Sequence, residues 1–462
     1  MLIDDLKTIV GPKGWKVDAA ALEPHLTERR GHFHGSTLIM ISPKTTAEVA
    51  AVIKTCAAAG AAVVPQGGNT GLCGGAIPDK SGDQVLLSLS RLNSIRNIDV
   101  ADFSIVVEAG CILADVQSAA NSVDRLFPLS LGAEGSCQIG GNLSTNAGGI
   151  NVIRYGTARQ QALGLEVVLA DGTIWNGLRS LRKDTAGYDL KHLFIGSEGT
   201  LGVITAATLK LYPQPGETTT VFAALQSANQ AVKLLALLQT HLADRIQAFE
   251  LISDRCLQFV TRHIPDTKLP FASDHPWFVL CDLVDEGLNS IVEEALAAAL
   301  DEDIIANAII AKNAAEAEEF WRIRHSISEA QKPEGANLKH DISVPIGRID
   351  EFLSRGEQLV NAIQPNARLV AFGHVGDGNL HYNVAQPDAA DAAEFMRNGA
   401  ELTEAIYDLV AEMGGSFSAE HGVGVLKKGY LARYRSEAEL GLMRAMKMSL
   451  DPNNILNPGK VI

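Results

Sequence analysis

Three glycine-rich segments lie between residues 66 and 205, and an ordinary packed core has no use for so many. The first, Gln66-Gly67-Gly68-Asn69-Thr70-Gly71-Leu72-Cys73-Gly74-Gly75, follows Ala61-Ala62-Val63-Val64-Pro65, which reads as a short buried strand. The second is Gly132-Ala133-Glu134-Gly135-Ser136-Cys137-Gln138-Ile139-Gly140-Gly141-Asn142, continuing into Ser144-Thr145-Asn146-Ala147-Gly148-Gly149. The third is Ile195-Gly196-Ser197-Glu198-Gly199-Thr200-Leu201-Gly202-Val203-Ile204-Thr205. Buried glycine forfeits side-chain packing and chain entropy, so a fold that keeps these segments needs a ligand to offset the loss. Bare backbone N–H groups brought close to a diphosphate would do so. The first segment has neither the Lys-Ser/Thr ending of a P-loop nor the G-x-G-x-x-G spacing of a Rossmann turn. Taken alone it reads equally well as a surface turn. The three together favour a ligand.

Around these loops the pattern is mixed α and β. Glu48 to Cys56 reads as a helix, and Gly164 to Thr173 as a strand closed by an Asp-Gly turn. From about residue 216, helices alternate with strands, among them the helix Asn229–Leu238 and the strand Trp277–Asp282. A helix from Thr403 to Glu412 stops at Met413-Gly414-Gly415, with glycine where a helix C-terminus favours it. At 462 residues the chain is long enough for two or three domains. We divide it into 1–215, a cap at 216–415, and a returning segment at 416–462.

The stretch Gly373-His374-Val375-Gly376-Asp377-Gly378-Asn379-Leu380-His381-Tyr382-Asn383 carries the clearest chemistry. Asp377-Gly378 is a two-residue type I′ hairpin signal, and such a turn pairs His374 with His381 across the strands. Their Cβ atoms would then lie about 5 Å apart on one face, a spacing at which two imidazoles can grip one divalent ion. Asn383 shares the face of His381. Glu420-His421 downstream offers a carboxylate ligand and a base. A single strand histidine is ordinarily just packed or exposed, but an opposed pair with an acidic-His dipeptide points to metal or catalysis.

The net charge of −15, from 39 basic and 54 acidic residues, argues against nucleic acid or an anionic membrane surface as partner. Any acid bound here must meet locally placed cations. Six scattered cysteines without C-x-x-C, and a start with no signal-peptide pattern, lead us to expect a reducing cytoplasm. No uncharged apolar run reaches the roughly 18 residues of a membrane span.

The glycine segments, the Gly373–Asn383 stretch and the ending Asp451-Pro452-Asn453-Asn454-Ile455-Leu456-Asn457-Pro458-Gly459-Lys460 together resemble the vanillyl-alcohol oxidase and p-cresol methylhydroxylase superfamily. The resemblance is to its D-2-hydroxyacid dehydrogenase branch, with the glycolate oxidase flavin subunit and D-lactate dehydrogenase. It is nearest to the D-2-hydroxyglutarate dehydrogenases. It implies an α+β fold, in which a two-part FAD-binding domain of the p-cresol methylhydroxylase type carries an α+β substrate (cap) domain. The FAD would be held by Pro65, Gly67, Gly68, Asn69, Thr70, Gly71, Gly75, Gly135, Ser136, Ile139, Gly140, Gly141, Asn142, Asn146, Gly148, Gly149, Glu198, Gly202, Ile204 and Asn457. No histidine occurs between His34 and His192, so a histidyl flavin link is absent, and we read Cys137 as packing and the FAD as non-covalent.

The same resemblance implies metal ligands His374, His381 and Glu420, zinc fitting best and manganese or iron also fitting. It assigns His421 as general base and substrate contact, with Arg324, Ser328, Lys339 and Asn383 as further substrate contacts. Ser328 stands where the family carries threonine. On spacing alone, Arg324, Ser328 and Lys339 read as solvated surface residues. The expected reaction is oxidation of a D-2-hydroxy acid, D-2-hydroxyglutarate first, by metal-assisted hydroxyl deprotonation and hydride transfer to flavin N5. D-lactate or glycolate dehydrogenation is the alternative, and a non-catalytic flavin-binding subunit the third reading. An electron-transfer flavoprotein or a quinone would accept the electrons; a homodimer stays open.

Overall fold

Residues 2–271, 275–284, 287–388 and 391–462 are described by a computed structural model. They form two compact units. One comprises Met1–Gly148, Gly156–Gln214 and Glu420–Ile462, the other Gly149–Tyr155 and Pro215–Ala419. The chain therefore crosses between units at 214/215 and 419/420, against expected boundaries at 215/216 and 415/416. It also makes an excursion at 149–155 that the sequence reading left in the first unit.

The first unit is built on two sheets, with a small third formed by Arg125–Leu126 and Tyr212–Pro213. In the smaller of the two, Ile39–Ile41, Val85–Ser88 and Val63–Gln66 run parallel, with Trp15–Lys16 antiparallel at one edge. Parallel strands covered on both faces are apolar without alternation. Accordingly Ile39, Met40, Ile41, Val85, Leu86 and Leu87 are all buried. The helix Thr46–Ala59 begins where Thr45 accepts the Glu48 N–H at 3.1 Å and ends at Gly60, whose φ is +66°. It buries Val49, Val52, Ile53 and Cys56, the i, i+3, i+4, i+7 stripe of an amphipathic helix. At the other edge the carboxy-terminal segment adds on: Val63 donates to the Ile455 carbonyl and accepts from Asn457 N–H, both at 2.8 Å. The larger sheet is antiparallel, ordered Ile95–Asp99, Ser104–Glu108, Val203–Lys210, Ala162–Val168, Ile174–Gly177. Its last two strands turn at Asp171-Gly172, with Gly172 at φ +83°.

The second unit is one seven-stranded antiparallel sheet. Its order is Asn307–Ile310, Thr218–Leu225, Trp277–Val284, Ile246–Ser253, Arg368–Gly373, Asn379–Ala385, Asn337–Ser343. The helices Asp254–His263 and Ala314–Ala330 close one face over Phe222, Ile252, Phe278 and Phe372. The helices Ile349–Ile363 and Gly399–Glu412 close the other. Phe352 meets Tyr382 edge-on with ring centroids 5.0 Å apart, and Tyr407 meets His340 at 5.7 Å. Alternate residues of the Asn379–Ala385 strand thus face different helix layers.

Candidate active site

In the first unit the three glycine segments converge on one cleft of about 850 Å³, counted to its open mouth. Pro65, Gly67, Gly68, Asn69, Thr70, Gly71 and Gly75 form one wall, Gly140, Gly141 and Asn142 a second, and Glu198, Gly202 and Ile204 a third. Gly68 shows why side chains are excluded, since a Cβ there would lie 2.0 Å from the Ser136 carbonyl oxygen. Sequence reading missed Gln66, Gln138, Ser144, Thr145 and Val203, which also line the cleft. They are interspersed with the glycines, and only the folded loops show which way they face.

The remaining expected FAD residues stand off the wall. Gly135, Gly148 and Gly149 do not line the cleft, and Gly149 belongs to the second unit. Ser136 contributes the carbonyl that Gly68 packs against. Ile139 is buried in the core with Cys137. Asn146 uses its carbonyl to accept from Thr157 Oγ1 at 2.8 Å and Arg159 N–H at 3.0 Å. Asn457 donates its amide to the Gly75 and Glu198 carbonyls at 2.8 and 2.7 Å, fastening the carboxy-terminal segment to two of the glycine loops.

Glu198 does similar work with its carboxylate, accepting the Val423 and Gly424 N–H groups at 2.7 and 2.9 Å. Burial raises this carboxyl above its usual range, opposed by those two backbone donors. The bonds set the Glu420–Gly424 segment beside the cleft, and His421 lines it. His421 Nε2 lies 3.7 Å from Glu420 Oε1.

The second unit holds the hairpin, with a different turn from the one expected. Phe372, not His374, pairs with His381, and Val370 pairs with Asn383. A type I′ turn needs positive φ at both central residues. Gly378 has φ +85°, whereas Asp377 is not among the residues with positive φ. The chain instead takes a five-residue turn, His374 to Gly378, in which the His374 carbonyl accepts from Asp377 and Asn379 N–H groups and the Asp377 carboxylate accepts from Asn379. Gly373, at φ +153°, redirects the backbone into it. The two imidazoles still approach, with ring centroids 5.5 Å apart and planes at 78°.

The next strand adds to this face. Asp341 pairs with His381 and Lys339 with Asn383, so all four side chains share one side of the sheet. Asn379 donates its amide to Asp341 at 3.0 Å, and Asn383 donates to Gln331 at 3.0 Å. Asp377 is pushed up to about 6, chiefly by burial.

Glu250, on the neighbouring strand, was not foreseen. One carboxylate oxygen meets His374 Nδ1 at 2.5 Å, and the other meets Arg324 Nε and Nη2 at 2.7 and 2.6 Å. Complete burial alone would raise this carboxyl, but the Arg324 and His374 charges hold it down to about 2. Glu250 takes the Nδ1 side of His374, so Nε2 is the nitrogen that remains to face an ion, the usual way a carboxylate orients a ligand histidine. The signal was present in the sequence: an acid inside the apolar strand Ile246–Ser253 must find a buried partner. Arg324 lies 4.9 Å over the Phe372 ring with its Nε edge taken by Glu250; Nη1 makes no hydrogen bond among the described residues. Ser328 on the same helix is exposed.

Comparison with known proteins finds two family models on this chain. The model of the FAD linked oxidases, C-terminal domain, matches residues 214–461, and that of the FAD binding domain matches 37–177. A D-2-hydroxyglutarate dehydrogenase of Xanthomonas citri pv. viticola is 38% identical, covering 96% of this chain and 93% of its own. The mitochondrial D-2-hydroxyglutarate dehydrogenase of Bos taurus is 37% identical over 99% of this chain and 83% of its own. Among solved structures, p-cresol methylhydroxylase with substrate bound superposes with a TM-score of 0.78 over 100% of this chain and 96% of that one. 4-Ethylphenol oxidase from Gulosibacter chungangensis gives 0.73 over 100% and 96%. At 16% and 19% identity these two show the fold.

Proposed function

This chain belongs to the FAD-linked oxidase family, and from that premise we propose that it is an FAD-dependent dehydrogenase oxidising D-2-hydroxyglutarate to the 2-oxo acid. The near-full-length likeness to D-2-hydroxyglutarate dehydrogenases carries the reading. The glycine-lined cleft fits FAD, because it presents bare backbone along its walls, and at Gly71 and Gly141 an added Cβ would meet no protein atom, leaving that space to a ligand. Bound there, FAD supplies the two-electron acceptor. Cys137 is buried in the core at 1% exposure, its thiol raised by burial, which supports a packing role and a non-covalent flavin.

We assign a divalent metal to His374, His381 and Glu420, zinc suiting two imidazoles and a carboxylate. Such an ion supplies the positive charge that lowers the pKa of a substrate hydroxyl. Two features of the second unit support the assignment: the approach of the two imidazoles, and Glu250 holding His374 by Nδ1. His421, on the cleft wall, takes the hydroxyl proton, since imidazole titrates nearest neutral pH. Arg324 through Nη1, Lys339, Asn383 and Ser328 receive the carboxylates and orient the substrate. D-lactate or glycolate is the second reading, favoured by one observation: the Glu250 carboxylate already neutralises Arg324. The electrons pass on to an electron-transfer flavoprotein or a quinone. No helix among the described residues is long and apolar enough to cross a membrane. All six cysteines are free and buried, which supports a reducing cytoplasm.

A dye-reduction screen of D- and L-2-hydroxy acids, run with and without chelator, tests the reading. D-2-hydroxyglutarate should give the highest kcat/KM, and chelation should abolish turnover. His374→Ala should lose metal and keep FAD. His421→Ala should keep both and lose kcat by about 10²- to 10⁴-fold, least at high pH where hydroxide substitutes. Turnover confined to L-acids, or undiminished after exhaustive chelation, would overturn the substrate or the metal assignment respectively.

A further inference from the structure

Arg159, Arg182, Lys191, His192 and Lys210 line a second cleft of the first unit, about 820 Å³ to its open mouth. Lys210 ends the strand Val203–Lys210, Arg159 lies on the short helix Ala158–Gln161, and Lys191 and His192 begin the helix Lys191–Phe194. Arg182 comes from the connection after Ile174–Gly177, and Ala162, Leu163 and Leu181 give the cleft an apolar lining. It shares no lining residue with the glycine-lined cleft.

The charge balance of this cleft runs against that of the chain. With 54 acids to 39 bases, a counter-charge is easily come by, yet among the described residues one carboxylate alone meets these five side chains. Asp189 meets Lys191 Nζ at 2.5 Å and His192 Nε2 at 3.4 Å. Arg159 is held by backbone carbonyls instead, donating to His192 at 2.9 Å and Ile195 at 2.5 Å. Arg182 likewise donates to the Asp102 and Phe103 carbonyls, each at 3.1 Å. The Lys210 side chain makes no hydrogen bond or ion pair among the described residues, its backbone being paired with Ser104 in the sheet. Burial lowers the pKa of Lys210, and the charges of Arg182 and Lys191 lower it further. Burial lowers Arg159 as well, and it lowers His192 despite the opposing charge of Asp189.

Gathering like charges in a half-buried cleft is unfavourable unless an anion joins them. Two guanidinium groups already fixed by the backbone would lose little freedom on meeting one. We propose that this cleft is a binding site for a compact polyanion, a small molecule carrying at least two negative charges on phosphate or carboxylate groups.

Isothermal titration of the FAD-loaded protein tests this, at constant ionic strength set with sodium chloride. The titrants are orthophosphate, pyrophosphate and citrate. We expect saturable one-site binding by at least one of them, tighter than about 1 mM. Lys210 is the side chain to change, because its replacement breaks no hydrogen bond. Lys210→Gln should weaken binding about tenfold, the worth of a charge-assisted contact, and Lys210→Glu should abolish it. Flavin content and melting temperature of the ligand-free variants should match wild type, and Arg182→Gln provides the second variant if they do not. Saturation by the phosphates without citrate assigns phosphate chemistry, and the reverse assigns carboxylate. No titrant saturating better than chloride, or equal affinity in wild type and Lys210→Glu, overturns the site.

Discussion

Glu250 is fully buried, with one oxygen on His374 and the other on Arg324. Removing one member of such a set costs more than the set contributes, because the partner charge stays buried and unpaired. Glu250→Ala should therefore destabilise the protein by about 3–5 kcal/mol in urea unfolding. Metal affinity should also fall roughly 10- to 100-fold, as His374 loses the group that orients it. The double variant Glu250→Leu with Arg324→Met separates these effects: stability should recover while metal retention does not. If metal content recovers too, Glu250 does not position His374. At this scale legibility depended on distance along the chain. His374 and His381 could be picked out because they lie on either side of one turn. The Glu250–His374–Arg324 set could not, because its members come from three separated stretches that only the sheet order and the Ala314–Ala330 helix bring together.

The elements themselves were legible wherever their signals are local. The helix expected over Glu48–Cys56 runs Thr46–Ala59, its ends set by Thr45 and Gly60, and the one expected over Thr403–Glu412 starts earlier, at Gly399, but stops at Glu412 before the expected glycines. The Gly373–Asn379 turn was misread because one backbone angle decides it: with Asp377 out of the positive-φ region, the register moves and His381 faces Phe372. Gly373 is the residue that makes the longer turn possible. A Cβ there would sit 2.6 Å from the Asn379 carbonyl oxygen, at a φ that side chains rarely adopt. Gly373→Ala should cost about 1–3 kcal/mol and displace His374. The expected pattern is a lower melting temperature and reduced metal content, with flavin content unchanged. Full metal retention in a destabilised variant would show that His374 does not depend on the turn.

For the whole molecule, the division between a flavin-binding unit and a sheet unit followed from composition, since the glycine segments end near residue 205 and the alternating pattern begins soon after. The 149–155 excursion was not legible, because it follows the glycine run directly and is too short to carry a periodicity of its own. Acid precipitation checks how the flavin is held. FAD should pass into the supernatant, as no histidine occupies the glycine loops and Cys137 is enclosed by its core. Yellow colour left in the pellet would mean that Cys137 carries it. One feature of the first unit bears on how the protein is made. The edge of strand Val63–Gln66 is closed by Ile455 to Asn457, which leave the ribosome about 390 residues later, a delay on the order of a minute at roughly 5–20 residues per second. Throughout that interval a buried-type strand waits with a bare hydrogen-bonding edge. Nascent chains should thus be most prone to aggregate, and most reliant on chaperones, while the flavin site is still missing the segment synthesised last among its parts.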